Sequence, residues 1–247
     1  MDKAAFTHMA ATESTHWWFV GRRAVIDALL EGMALPASGD ILEAGCGTGG
    51  NLGTLARHGR IAAFEPHIDA LSFARTRHPD VDIRQGSLPG ALPYEAASFD
   101  LVAALDVLEH VDSDEESARA LVDLVKPGGW ILVTVPAHQA LWGSHDRRLH
   151  HQRRYGRKQL LRLFEHPDLE LIRSTPFNFV LSPIALVYRV AERMLGLDLG
   201  NQERIPWRPV NLALGALFRA ESVLVRHGLP IPFGLSYAAI FRRRPTP

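Results

Sequence analysis

Between Asp40 and Pro136, short apolar runs alternate with segments of helical period, and this alternation constrains the fold more than any other feature. Asp40 to Ala44, Ile61 to Glu65, Asp82 to Gln85, Phe99 to Leu105 and Trp130 to Val135 read as strands. Helices are expected between them, at about 51–58, 68–77 and 114–125. A strand, helix, strand order requires right-handed crossovers and a mostly parallel sheet with helices on both faces. Such a sheet offers a ligand site at the carboxyl ends of its strands, near the switch in strand order.

The flanking segments extend this core. Residues 17–33 carry apolar positions at helical spacing before Pro36 and Gly39 break the chain. Pro127-Gly128-Gly129 reads as a turn. A helix is expected at about 157–164 and a sixth strand from Leu169 to Ser174. Two apolar-rich helices follow, near 180–195 and 210–227, then a last strand from Ser236 to Arg242. The 247 residues, 47% of them hydrophobic, suit one domain over 1–247. Its parts are a helical cap at 1–38, a ligand-binding core at 39–176, a helical insert at 177–229, and the last strand and tail at 230–247.

Lys+Arg and Asp+Glu both number 27, so bulk attraction to nucleic acid is not expected and no nucleic-acid partner is assigned. The opening MDKAAFTHMAATESTHWWF lacks the apolar run of a signal peptide. No apolar run is long enough for a membrane span, although the insert leaves room for peripheral contact. The single cysteine, Cys46, excludes an internal disulfide framework and fits a cytoplasmic protein, either monomer or homodimer.

The first strand runs into Gly45-Cys46-Gly47-Thr48-Gly49-Gly50, where missing side chains let the backbone approach a ligand and the next helix offers free N–H groups. Glu65 closes the following strand, placed to accept hydrogen bonds from both hydroxyls of a ribose. Gly45-x-Gly47-x-x-Gly50 also satisfies a dinucleotide pattern. Glu43, two residues before the first glycine, suits a ligand with an α-ammonium group better than a pyrophosphate.

Four motifs in order decide between these patterns by resemblance: Glu43 to Gly49, Ser98-Phe99-Asp100-Leu101-Val102, Asp106-Val107-Leu108-Glu109-His110-Val111, and Leu124 to Gly129. Together they resemble the class I S-adenosylmethionine (SAM) methyltransferases, across roughly residues 40–136. His16-Trp17-Trp18-Phe19 near the start and Pro232 to Ser236 near the end resemble a bacterial subgroup of that family. The resemblance implies a Rossmann-like fold with a seven-stranded, mostly parallel sheet, its last strand antiparallel, and SAM as cofactor. It implies that Glu43 and Gly45 meet the methionine end of SAM, with Cys46, Gly47, Gly49 and Asn51 along the same turn. Glu65 and Pro66 would border the ribose, and Gly86, Ser87 and Leu88 the adenine. Many relatives carry an acid where Ser87 stands. Asp106 would lie beside the methyl group, and Trp17 would cover the pocket.

Methyl transfer from a sulfonium is an in-line displacement in which the protein chiefly aligns and desolvates. Histidine titrates near neutrality, so base candidates are His110, His145, His150 and His151. Asp106, Glu109 and His110 resemble the Glu-x-x-Glu-His arrangement of metal-assisted O-methyltransferases. Leu-Glu-His-Val also occurs in metal-free relatives, and the expectation is no metal. Residues 144–157, SHDRRLHHQRRYGR, hold five arginines and follow the fifth strand at its carboxyl edge. The expected site therefore has His110, His145 and Tyr155 as catalytic groups and His145, Arg154 and Tyr155 as acceptor contacts. The arginines suggest an anionic group on a small-molecule or lipid-like acceptor, bound bidentately; the alternative for this loop is internal salt bridges. Two other functions stay open: a nucleic-acid methyltransferase using the loop, and an NAD(P)-dependent enzyme. For the latter, Tyr155 and Lys158 stand one residue too close to form the Tyr-x-x-x-Lys of short-chain dehydrogenases.

Overall fold

The computed structural model describes residues 3–195 and 205–245. Residues 1–2 of the cap, 196–204 of the insert and 246–247 of the tail lie outside the described residues. In chain order the elements are α1 (Lys3–Thr12), α2 (Trp17–Glu31), β1 (Asp40–Ala44), α3 (Leu52–Leu55), β2 (Arg60–Glu65), α4 (Ile68–Arg77), β3 (Asp82–Gln85), β4 (Phe99–Leu105), α5 (Asp114–Leu124) and β5 (Val125–Pro136). They continue as α6 (Ser144–Arg148), α7 (Arg157–Leu163), β6 (Leu169–Phe177), α8 (Ser182–Leu195), α9 (Arg208–Arg226) and β7 (Ser236–Arg243).

The seven strands form one sheet in the order β3-β2-β1-β4-β5-β7-β6. Strands β1 to β5 pair in parallel, while β7 runs antiparallel to both β5 and β6. Successive strand residues face opposite sides, and the core divides accordingly. Leu42, Val102, Ala104, Ile131 and Val133 join α5 and α7 in one buried cluster. Ile41, Leu101, Ala103, Trp130 and Leu132 join α2 and α9 in the other. Strands buried on both faces explain the nearly continuous apolar runs in the sequence.

The structure adjusts several expected elements. The helix expected at 51–58 is one turn long, Leu52–Leu55. The fifth strand begins at Val125 rather than Trp130, and Gly128 at φ +83 makes the irregularity that shifts its register against β4. The helical cap expected at 1–38 holds a helix, α1, before the one expected at 17–33; only Phe6 and Thr12 of it are buried, so it has almost no periodic signature. In the helical insert, α9 packs chiefly against α2. Asn211 ties the two helices: its Oδ1 accepts from Trp17 N–H (2.9 Å) and its Nδ2 donates to the Thr15 carbonyl (2.8 Å). Gly21 sits so close to Phe218 that an added Cβ would lie 2.3 Å from that ring. Among the described residues no helix is long and apolar enough to cross a membrane.

Candidate active site

A cavity of about 720 Å³ opens at the carboxyl ends of β1, β2 and β4, beneath α1, α2 and α8. Its floor is the glycine turn after β1. Gly45 and Gly47 have φ of +69° and +55°, which L side chains rarely adopt. A Cβ on Gly45 would meet Val107 at 3.0 Å, whereas one on Gly47 would meet nothing within 4 Å. The turn therefore shows bare backbone to the cavity. The Gly47 N–H donates to Glu65 Oε2 (2.8 Å) and the His67 N–H to Glu65 Oε1 (3.0 Å), which fixes that carboxylate beside the turn. Burial raises the Glu65 pKa, opposed by those two N–H groups.

Glu43 lies beneath the turn, 1% exposed, and does not line the cavity itself. Burial lifts its pKa to about 8, against the hydrogen bond from Asn51 Nδ2 to its Oε1 (2.7 Å). Asn51 does line the cavity and accepts in turn from Arg22 Nη1 (3.1 Å). Arg22, a residue to which the sequence assigned no role, reaches in from α2. Its Nε stands 2.7 Å from Asp106 Oδ2, and Asp106 also accepts from Thr134 Oγ1 (3.0 Å). Asp106 holds φ +59°, a conformation in which aspartate is among the few tolerated non-glycine residues. Glu13 at the end of α1 was also missed: it accepts from Thr48 Oγ1 (2.9 Å) and pairs with Arg77, drawing the cap across the turn. Trp17 and Trp18 both line the cavity, Trp18 with Arg22 5.4 Å from its ring centre.

Opposite the turn stands a histidine cluster. Burial, and next His151, push the His110 pKa down to about 3, so His110 stays neutral. Its ring meets His151 edge-on at 4.7 Å. His151 Nδ1 lies 2.9 Å from Asp146 Oδ1. Burial would raise the Asp146 pKa, but the His151 contact and Arg154 outweigh it and hold the carboxyl far below the usual range. Glu109 is fully buried, and neither of its oxygens has a hydrogen-bond partner in another described residue. Burial, and next Asp106, raise its pKa well above normal. Ligand atoms of Glu109, His110 and His151 lie within 4.8 Å of one another, so this trio has the donor set and spacing to hold a divalent cation.

Of the sequence-predicted residues, Trp17, Gly45, Cys46, Gly47, Asn51, Glu65, Pro66, Ser87, Leu88, Asp106, His110, His145 and Arg154 line this one cavity. Glu43, Gly49 and Gly86 do not. The Gly49 carbonyl lies 3.0 Å from His78 Nε2, and Gly86 packs under Pro93. Tyr155 is a correction. It is fully buried in the core between β5 and α5, away from the cavity. Its hydroxyl lies 3.0 Å from the Leu108 carbonyl and 2.9 Å from an Asp114 carboxylate oxygen, so it braces the loop after β4 and cannot touch an acceptor. The arginine loop is corrected in part. Arg154 borders the cavity, but its Nε donates to Asp146 Oδ1 (2.7 Å) and its Nη1 to the Ala137 carbonyl (3.2 Å). Arg153 pairs with Asp114 at 2.9 Å. These two arginines are matched internally, which is the alternative the sequence held open.

Residues 18–174 match the family model of the methyltransferase domain. The chain belongs to this family. It is 30% identical over 159 residues to a Mycolicibacterium smegmatis protein described as a "probable S-adenosylmethionine-dependent methyltransferase", covering 63% of this chain and 60% of the relative. It is 42% identical over 95 residues to a ubiquinone biosynthesis O-methyltransferase of Methylocella silvestris, covering 36% of each. The chain thus spans about 60% of the first relative's length and about a third of the second's. Among solved structures, a SAM-dependent methyltransferase of Thermotoga maritima aligns with a TM-score of 0.59 at 16% identity, covering 97% of this chain and 99% of that one. A geranyl diphosphate methyltransferase in complex with SAM aligns at 0.59 and 15%, covering 91% and 85%. At such identities the structural likeness speaks for the fold.

Proposed function

We propose that the chain is a SAM-dependent methyltransferase acting on a small or lipid-like acceptor. The observation that carries this is the bare glycine turn with Glu65 fixed beside it, opening on a cavity large enough for a nucleoside and an acceptor together. The residues present fit SAM. Asn51, held from beneath by Glu43, lies where the amino-acid end would be held, Glu65 can accept from ribose hydroxyls, and Ser87 and Leu88 border the adenine side. When bound, SAM supplies a methyl group on a positively charged sulfur.

The protein's own groups then align and desolvate. Trp17 and Trp18 close the water side. Arg22 and Thr134 hold the Asp106 carboxylate in one orientation. Among the base candidates, His151 is favoured: its Nδ1 is engaged by Asp146, which leaves Nε2 to take a proton from an acceptor hydroxyl. His110, with its pKa near 3, is a weak base and serves better to position His151. His145 borders the acceptor side. The internal pairing of Arg153 and Arg154 weighs against a nucleic-acid arm. Calorimetry with SAM and with S-adenosylhomocysteine tests the reading, and absence of binding for both at millimolar concentration refutes it.

A second reading, metal-assisted O-methylation, is favoured by the two unpartnered Glu109 oxygens beside His110 and His151. A cation there would polarise an acceptor oxygen. Titration with Co²⁺, read by its visible absorption, separates the two readings: a spectrum abolished by Glu109→Gln supports the metal, and no spectrum removes it.

A further inference from the structure

Two of the helices that wall the cavity also present apolar surface to solvent. Leu181 and Ile184 of the α8 segment and Leu214 of α9 border the cavity. On their outer sides Ile184 is 64% exposed, Val187 70%, Trp207 77% and Leu212 56%. Ile184 does both, so the apolar surface is continuous with the cavity mouth. Pro206 lines the mouth immediately before Trp207.

The charge on α9 is one-sided. Arg208 and Arg219 are exposed, and the helix's one acid, Glu221, is 1% exposed and turned inward, accepting from the Phe179 N–H (2.8 Å) and the Val180 N–H (3.2 Å). Arg226, at the far end, is matched by Glu31 at 2.9 Å. On α8, Glu192 accepts from the Ser144 N–H (3.2 Å), toward the cavity wall. An exposed face of aliphatic side chains, a tryptophan and arginines without an acidic partner among the described residues has the composition of a helix that lies in a membrane interface. A second copy of the chain fits it poorly, because a two-fold contact across α9 would set arginines against arginines.

We propose that the outer face of α8 and α9 docks on the surface of an anionic phospholipid bilayer, with the cavity mouth against the lipid. The guanidinium groups meet lipid phosphates, and Val187, Trp207 and Leu212 enter the headgroup layer. A lipid-like acceptor then reaches the cavity without crossing water. This last point rests on the proposed function; the docking surface does not.

The test is cosedimentation of the full chain with vesicles of phosphatidylcholine alone and of an equimolar phosphatidylcholine and phosphatidylglycerol mixture. The expected result is binding to the anionic vesicles that weakens as salt rises, with little binding to phosphatidylcholine alone. Arg208→Glu and, separately, Val187→Asp should each lower the partition coefficient at least tenfold while SAM affinity by calorimetry is unchanged. Both positions are exposed and outside the cofactor site, and circular dichroism confirms that each variant is folded. Equal sedimentation with and without phosphatidylglycerol overturns the proposal. So does a dimer by light scattering that Val187→Asp dissociates, which would assign the face to self-association. No binding of the unsubstituted chain to anionic vesicles, with its SAM binding intact, refutes the surface alone; vesicle binding without SAM binding refutes the methyltransferase reading alone.

Discussion

Arg22 is the test of how the cavity holds its acids. The residue is 4% exposed, its guanidinium stands among Asp106, Asn51 and Thr134, and it opposes part of the rise that burial imposes on the pKa of Glu43 and Glu109. Replacing it with methionine keeps much of the aliphatic stem and removes the charge. Breaking a fully buried ion pair costs roughly 3–5 kcal/mol, because the remaining charge is left unpaired. The Asp106 side chain is 21% exposed on the cavity side, so water recovers part of that and the pair term falls to about 2 kcal/mol. The lost donor to Asn51 adds about 1 kcal/mol. A total near 3 kcal/mol corresponds to a Tm decrease of roughly 6–12 °C for a chain of this size. The double variant Arg22→Met/Asp106→Asn leaves no orphaned carboxylate and should recover at least half of the loss. Thermal unfolding of the wild type, both single variants and the double variant gives the coupling directly. A single-variant cost below about 1 kcal/mol, or additive costs in the double variant, would refute the argument that Arg22 neutralises Asp106.

Three further outcomes follow from the same geometry. Glu65→Ala should weaken SAM binding by calorimetry roughly 10- to 100-fold, the loss of one or two hydrogen bonds to a charged acceptor, with little loss of fold; unchanged affinity would show that the ribose lies elsewhere. Glu43 has a folded pKa near 8 against an ordinary 4.5, so between these values the folded chain keeps a proton that the unfolded chain releases. Its contribution is therefore full below about pH 4.5 and declines until about pH 8, and Glu43→Gln should flatten the fall of Tm with pH across that window. Tyr155→Phe should cost about 1 kcal/mol of stability in denaturant titration and leave SAM affinity unchanged; a selective loss of activity at full stability would return Tyr155 to the acceptor site.

What the sequence disclosed and what it withheld divide along a physical line. The strands of the parallel core were legible because burial on both faces forces apolar runs, and the glycine turn because positive φ at Gly45 and Gly47 selects glycine. Both are local demands on residue type. Arg22 was illegible because its partner stands 84 positions away, and they meet only when α2 packs across the end of β4. Glu13 was hidden the same way: its partners Thr48 and Arg77 lie on the glycine turn and at the end of α4. Tyr155 misled for a related reason. Its neighbours are charged, so the segment read as an acceptor-side loop, yet Tyr155 N–H donates to the Pro136 carbonyl and Ala137 bridges to Tyr155, which stitches the segment onto the carboxyl end of β5 and turns the ring inward. The arginines around it then had to find carboxylates nearby, and Asp114 and Asp146 supply them. The same stitching sets Asp146 against His151, so the loop brings an oriented imidazole to the cavity, and the arginine that borders it, Arg154, is already matched by Asp146.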